Sequence, residues 1–194
     1  MIETASKKVT SFFIEKGIIE ESKRAMCEYS LYTRMLSCIT SLFMYTIAIP
    51  TLGIVKSILL IKSVLDLRKR TGGFHADSEF KCFCISNIMI LLLSWYLFPL
   101  ASRLHNIKLV FSYIIYIVFI AIIAPINHYN NILTIEEITA NKRKINKILS
   151  VLSFLFVLGI MFESMKDYAV IINLVVFTVM LSILLAKILH QEAH

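Results

Sequence analysis

A histidine, a cysteine and a glycine pair fall within one short stretch, Arg68-Lys69-Arg70-Thr71-Gly72-Gly73-Phe74-His75-Ala76-Asp77-Ser78-Glu79-Phe80-Lys81-Cys82. A thiolate attacks carbonyl carbon, and an imidazole close by can take and return the proton that such a reaction moves. His75 and Cys82 are therefore candidate base and nucleophile of a cysteine-peptidase site. On one straight helix their spacing means a rise of about 10 Å, too long for a hydrogen bond, so the pair needs a turn between its members. Gly72 and Gly73, two of five glycines in the chain, permit positive φ and a close backbone approach. That suits a tight turn or an oxyanion-binding peptide edge. Ser78, or Asp77 before it, is suited to N-cap the apolar helix that follows. Cys82 then falls in the first turns, where the helix dipole and Lys81 favour negative charge, and His75 can fold back over the helix N-terminus toward the sulfur. Cys84 points to another face.

Other readings compete on the residues alone. His75 can be an exposed loop histidine and Cys82 a small apolar residue at the start of a span. A zinc site from His75, Cys82 and Cys84 lacks an obvious fourth ligand, although Asp77 or Glu79 could contribute, and no paired CxxC supports it. Intramembrane aspartyl chemistry needs two carboxylates at membrane depth, whereas only Asp66 lies near the end of an apolar run. Neither a metal nor a cofactor is expected. Asp77, Ser78 and Glu79 are each able to orient His75, and the third catalytic role stays unassigned.

The elements that must position these residues are membrane helices. The chain is 58% hydrophobic and 17% charged, with a mean hydropathy of +0.77, far from the mix of a soluble domain. Apolar runs cover roughly 31–49, 52–67, 83–100, 109–126, 148–162 and 168–189, each near the length that crosses a bilayer. The expected fold is an all-α, polytopic membrane helical bundle of about six spans, forming one domain over 1–194. The second run is the weakest, since it carries Lys56, Lys62 and Asp66, and a four-span bundle with a re-entrant segment is the alternative. Residues 1–30 read as a cytoplasmic segment holding an amphipathic interfacial helix, with Ile2, Val9, Phe12 and Phe13 near helical spacing and Gly17 interrupting it; an ordinary packing helix is the competing view. No signal peptide is expected, and the four cysteines show no disulfide framework.

Under the six-span count, fifteen of the twenty Lys and Arg fall on one side and four on the other. This charge bias makes both termini and the 68–82 loop cytoplasmic, in a multi-pass protein of the cell membrane. It also explains the net charge of +7 without nucleic acid, because the cations lie between apolar runs rather than on one polar face.

The stretch from Arg68 to Cys82 resembles the accessory gene regulator B (AgrB) family, membrane cysteine endopeptidases of Gram-positive quorum sensing. Arg68, Gly72, Gly73, His75, Ala76 and Cys82 follow the order and spacing of its Arg-x-x-x-Gly-Gly-x-His-Ala, then Cys, signature. Ala124-Pro125-Ile126, followed by Asn130, Asn131, Glu136, Glu137 and Lys142-Arg143-Lys144, resembles the loop after the family's fourth span. The resemblance implies that Cys82 is the nucleophile and His75 its base, acting on a small amphipathic autoinducer propeptide (AgrD-like) with an acidic tail. It implies removal of that C-terminal tail through an acyl-enzyme thioester, then (thio)lactone cyclisation by a substrate thiol or hydroxyl, without ATP. Arg68, Gly72, Gly73, Lys142, Arg143 and Lys144 are then the substrate-binding residues, the cations facing the acidic tail. The partners are that propeptide and membrane lipid, with a homodimer as an open alternative. A non-enzymatic small membrane transporter or a peptide-binding membrane protein is the competing function.

Overall fold

The computed structural model describes residues 2–74, 76, 78–127 and 133–190; His75, Asp77, Asn130 and Asn131, singled out above, lie outside the described residues. The helices are α1 (Ile2–Glu15), α2 (Arg24–Leu52), α3 (Ile54–Thr71), α4 (Glu79–Leu91), α5 (Phe98–Ser102), α6 (Asn106–Ile123), α7 (Ile135–Met161) and α8 (Lys166–Ile188). A π-helical turn, Leu92–Leu97, joins α4 to α5. Pro99, just beyond it, has no N–H to give the carbonyl four residues back, and a widened turn accommodates that loss. Five helical stretches are long and apolar enough to cross a membrane: Glu21–Leu52, Glu79–Ser102, Asn106–Ile123, Ile135–Met161 and Glu163–Ile188.

The chain divides into two units, Met1–Met44 and Tyr45–His194. In the first, α1 presents the buried Ser6 and Thr10 to the start of α2, where the Thr10 hydroxyl donates to Cys27 Sγ at 3.7 Å and Arg24 donates to Ser11 Oγ at 3.1 Å. Phe12 on α1 is left exposed.

The second unit is built round α8. Ala169, Val170, Ile171, Val175, Val179 and Ile183 on α8 are all fully buried, under α3, α6 and α7. The outer helices keep apolar side chains uncovered, including Phe111, Ile122 and Phe154, as a bundle solvated by lipid does. Interior polar groups join the helices instead of facing outward. Asn173 Nδ2 donates to Leu109 O and to Ser112 Oγ, both at 2.9 Å, tying α8 to α6. Tyr113 Oη lies 2.9 Å from Ser153 Oγ, and its ring stacks on Phe156 with centroids 4.0 Å apart, tying α6 to α7.

α3 falls short of a span by composition because Lys56, Lys62, Asp66 and Arg68 to Arg70 interrupt it. It nonetheless buries one face, Ser57, Leu60, Ile61, Val64, Leu67 and Thr71, at helical spacing. It runs parallel to α8 and is fastened at both ends, by Lys56 Nζ to Asp167 Oδ2 at 2.7 Å and by Phe74 N–H to Ser182 O at 2.9 Å. Residues 56 to 71 of that path rise about 23 Å as helix, short of the roughly 30 Å of a hydrocarbon core. The six-run expectation therefore maps onto six long helical stretches, five apolar enough to cross and α3 alongside α8.

Two boundaries differ from the sequence expectation. Lys142, Arg143 and Lys144, expected in a loop, lie inside α7, which starts earlier because Thr134 and Glu137 form a reciprocal capping box. α6 ends at Ile123, short of the apolar run, because Pro125 cannot continue the helical hydrogen bonding.

Loss of the α8–α6 contact is testable. Interhelical hydrogen bonds in membrane bundles contribute about 0.6 kcal/mol on average and up to about 1.7 kcal/mol. Asn173→Ala is accordingly expected to lower the thermal unfolding midpoint in detergent; an unchanged midpoint would show that these bonds do not hold α8 in place.

Candidate functional site

Gly72 ends α3 with φ +72°, and Gly73 follows at φ +122°. Neither has room for a side chain. A Cβ on Gly72 would lie 2.8 Å from Ile126 O, and one on Gly73 would lie 2.6 Å from Ser182 Oγ. The chain can thus pass between the loop after α6 and the flank of α8 only as bare backbone. Three hydrogen bonds fasten it there: Ile126 N–H to Thr71 O at 2.9 Å, Phe74 N–H to Ser182 O at 2.9 Å, and the Arg68 guanidinium to Phe74 O at 2.8 Å. The Gly72 N–H is also engaged, by Arg68 O at 3.2 Å. Of the two uses expected for the glycines, the tight turn is the one these contacts account for.

The turn delivers the chain to α4. Ser78 caps it, its Oγ accepting from Lys81 N at 3.3 Å while its carbonyl accepts from Cys82 N at 3.0 Å. Glu79 stands in the first turn, where a carboxylate complements the helix dipole. Cys82 consequently sits in the opening turn of the helix, exposed, with Cys84 half-buried on a different side.

Arg68 is the group that joins turn and thiol. Burial draws its guanidinium below the ordinary arginine range, and the charge of a Cys82 thiolate acts on it in the opposite sense. Arginine stays protonated through any such shift, so the turn holds a permanent cation within electrostatic reach of Cys82. No carboxylate pairs with it among the described residues. Arg68 and Phe74 line a cavity of about 40 Å³ together with Ile85, Ser86 and Met89 of α4 and with α8.

Of the residues expected at the site, Arg68, Gly72, Gly73 and Cys82 come together around this turn. Lys142, Arg143 and Lys144 are exposed on α7 and neither line the cavity nor bond to the turn among the described residues. The expectation for His75 lies outside the described residues. Of the two residues against which the glycines press, sequence reasoning passed over Ser182 and named Ile126 only as part of a family-like stretch, without a role at the turn. Ser182 carried a signal, a hydroxyl within the most apolar run of the chain; Ile126 carried none beyond its place in the second family-like stretch.

A multi-helix membrane protein that presents a cysteine on the first turn of a span, next to an enclosed arginine, is the class that fold and site define. The accessory gene regulator B model matches residues 6–186. The chain belongs to the accessory gene regulator B family, and with it to quorum-sensing peptide processing. Neither the curated proteins nor the solved structures contain a match to it.

Alanine at Gly73 would combine steric overlap with a backbone conformation costing a side chain about 1–3 kcal/mol, enough to raise opening of the turn roughly tenfold. Gly73→Ala is therefore expected to speed tryptic cleavage after Lys69 and Arg70 in detergent-solubilised protein. Digestion at the wild-type rate would contradict the packing of this turn against α8.

Proposed function

We propose that this protein is a membrane cysteine endopeptidase that removes the C-terminal tail of a small autoinducer propeptide and passes the remainder to its own cyclisation. The observation that carries the reading is Cys82, exposed on the first turn of α4 within electrostatic reach of Arg68, a cation with no carboxylate partner among the described residues, in a chain of the accessory gene regulator B family.

In the proposed reaction the Cys82 sulfur attacks the scissile carbonyl and forms a C–S bond. The C–N bond to the tail breaks as the tail's nitrogen takes a proton, which His75 supplies after receiving it from the thiol. A thioester of the leader and signal portion remains on Cys82, and the tail leaves with a free amino terminus. A thiol or hydroxyl within the substrate then attacks the thioester carbonyl, its proton passing to His75 and back to Cys82. One acyl bond replaces another of similar energy when the attacker is a thiol, so no ATP enters the balance. Water competes with the internal nucleophile, and a site at the edge of a packed bundle limits its entry.

Arg68, Gly72 and Gly73 shape the site in this reading, the glycines by letting the turn pack and Arg68 by its charge. Lys142, Arg143 and Lys144, which form no hydrogen bond or ion pair among the described residues, are available to an acidic tail. The excess of cations on one side supports a cytoplasmic position for the termini and the site in this reading. The uncovered Phe12 of α1 and the bare outer faces of the bundle meet membrane lipid.

Cys82→Ala and His75→Ala are each expected to reduce tail removal from a co-expressed propeptide below detection, with Cys84→Ala retaining substantial activity. Cleavage that persists in Cys82→Ala at normal membrane levels of the protein would sink the peptidase reading in favour of a transporter or a peptide-binding protein.

A further inference from the structure

The outward face of α3 carries charge at the depth where a membrane tolerates it least. α3 runs parallel to α8 from the Lys56–Asp167 ion pair, so at helical rise Lys62 lies about 9 Å and Asp66 about 15 Å along from that pair. Equal steps along α8 reach Asn173 and Phe177, on either side of the middle of the Glu163–Ile188 span. Both side chains are exposed, and neither has a hydrogen bond or ion pair among the described residues. They do not bond each other although four residues separate them, the lysine standing N-terminal to the carboxylate in the less favourable order. Charged side chains at the centre of a bilayer face protein or water and find a partner there. An exposed, unpaired lysine and aspartate at this depth therefore mark a face that something covers.

The pattern around these charges fits a second α3. Val55, Ile58, Lys62, Leu65 and Lys69 follow one another at alternating steps of three and four residues, and all five are exposed. That is the spacing of a helix–helix seam, on the side away from Leu60, Ile61, Val64 and Leu67, which are packed in the bundle. Two copies inserted in the same sense are related by a two-fold axis along the membrane normal, which sets α3 against α3 in parallel and makes the same residues meet from both sides. The stripe is self-complementary under that operation. Lys62 of each copy finds a carboxylate one turn, about 6 Å, further along, a distance that the flexible lysine stem covers. Two ion pairs then form and no central charge is left over, whereas an acidic peptide on this face would meet Asp66 as a like charge.

We propose that the outward face of α3, from Val55 to Lys69, is the contact surface for a second copy of this chain, held at membrane depth by reciprocal ion pairs between Lys62 and Asp66 of the partner subunit. Parallel pairing places the two Gly72–Gly73 turns, one at the end of each α3, on the same side of the membrane. The contact stands independently of the peptidase reading.

The test is disulfide-linked dimer formed on oxidation of membranes holding the full chain, with its four native cysteines replaced by serine and Leu65→Cys added on the seam. Phe111→Cys, on the exposed side of α6, is the comparison. Leu65→Cys is expected to link severalfold more than Phe111→Cys. In the Leu65→Cys background, Lys62→Asp and Asp66→Lys expressed singly each set like charges opposite one another and lower the linked fraction roughly tenfold. Co-expressed with different tags they restore it, as a dimer of one variant with the other, because one copy then presents two carboxylates and its partner two ammonium groups. That recovery also shows both variants to be folded. Linking at Leu65→Cys no greater than at Phe111→Cys, single variants that link as before, or no recovery in the mixture at normal membrane levels of both would overturn the proposal. So would Leu65→Cys that reacts with a water-soluble maleimide without dimerising, the mark of an aqueous groove, or that links only to a cysteine-bearing propeptide.

Discussion

Two consecutive backbone positions have no space for a Cβ, one facing Ile126 O and the other facing Ser182. This close approach is what the candidate site depends on. It brings the end of α3, the loop after α6 and the flank of α8 to one point, and it starts the chain toward the cap of α4. Once the glycines let the backbone through, hydrogen bonds from Ile126, Phe74 and Arg68 hold it. The orientation of Arg68 is a result of the same turn, because its guanidinium is fastened to the carbonyl of the residue after the glycines.

The bundle makes the approach possible by presenting α8 as a fixed post. α8 is buried along most of its length, tied to α6 through Asn173, and paired in parallel with α3 from Lys56–Asp167 at one end to Phe74–Ser182 at the other. A polar helix such as α3 can stand at membrane depth when its apolar face meets other protein and its end charge finds a partner. The consequence for chemistry is rigidity on one side and access on the other. The arginine and the cavity wall belong to the packed interior, whereas Cys82, one turn into α4, stays exposed.

Much of the architecture was legible because its signals are local. Apolar runs of membrane-crossing length marked the helices, Ser78 before such a run marked the cap, and that cap put Cys82 in the first turn. Gly72 and Gly73 announced a special backbone but not what it approached. The partners of the glycines, Ile126 and Ser182, and the Lys56–Asp167 pair join residues far apart in the chain, and no local periodicity encodes such contacts. The polar capping box at Thr134 and Glu137 reads as loop by hydropathy, which hid the early start of α7 and placed Lys142 to Lys144 in a loop instead of on a helix. Family membership then connects the two stretches, around Arg68–Cys82 and around Ala124–Ile126, that the fold brings into contact.

Capture of the acyl-enzyme tests the central claim most directly. A propeptide whose internal thiol or hydroxyl nucleophile has been replaced by alanine should still lose its tail but be unable to cyclise, so the thioester accumulates. Intact-protein mass spectrometry is expected to show the chain heavier by the leader and signal portion, with the added mass on the peptide containing Cys82 and removed by hydroxylamine. Release of the tail with no adduct on the protein, or an adduct that persists in Cys82→Ala, would contradict it.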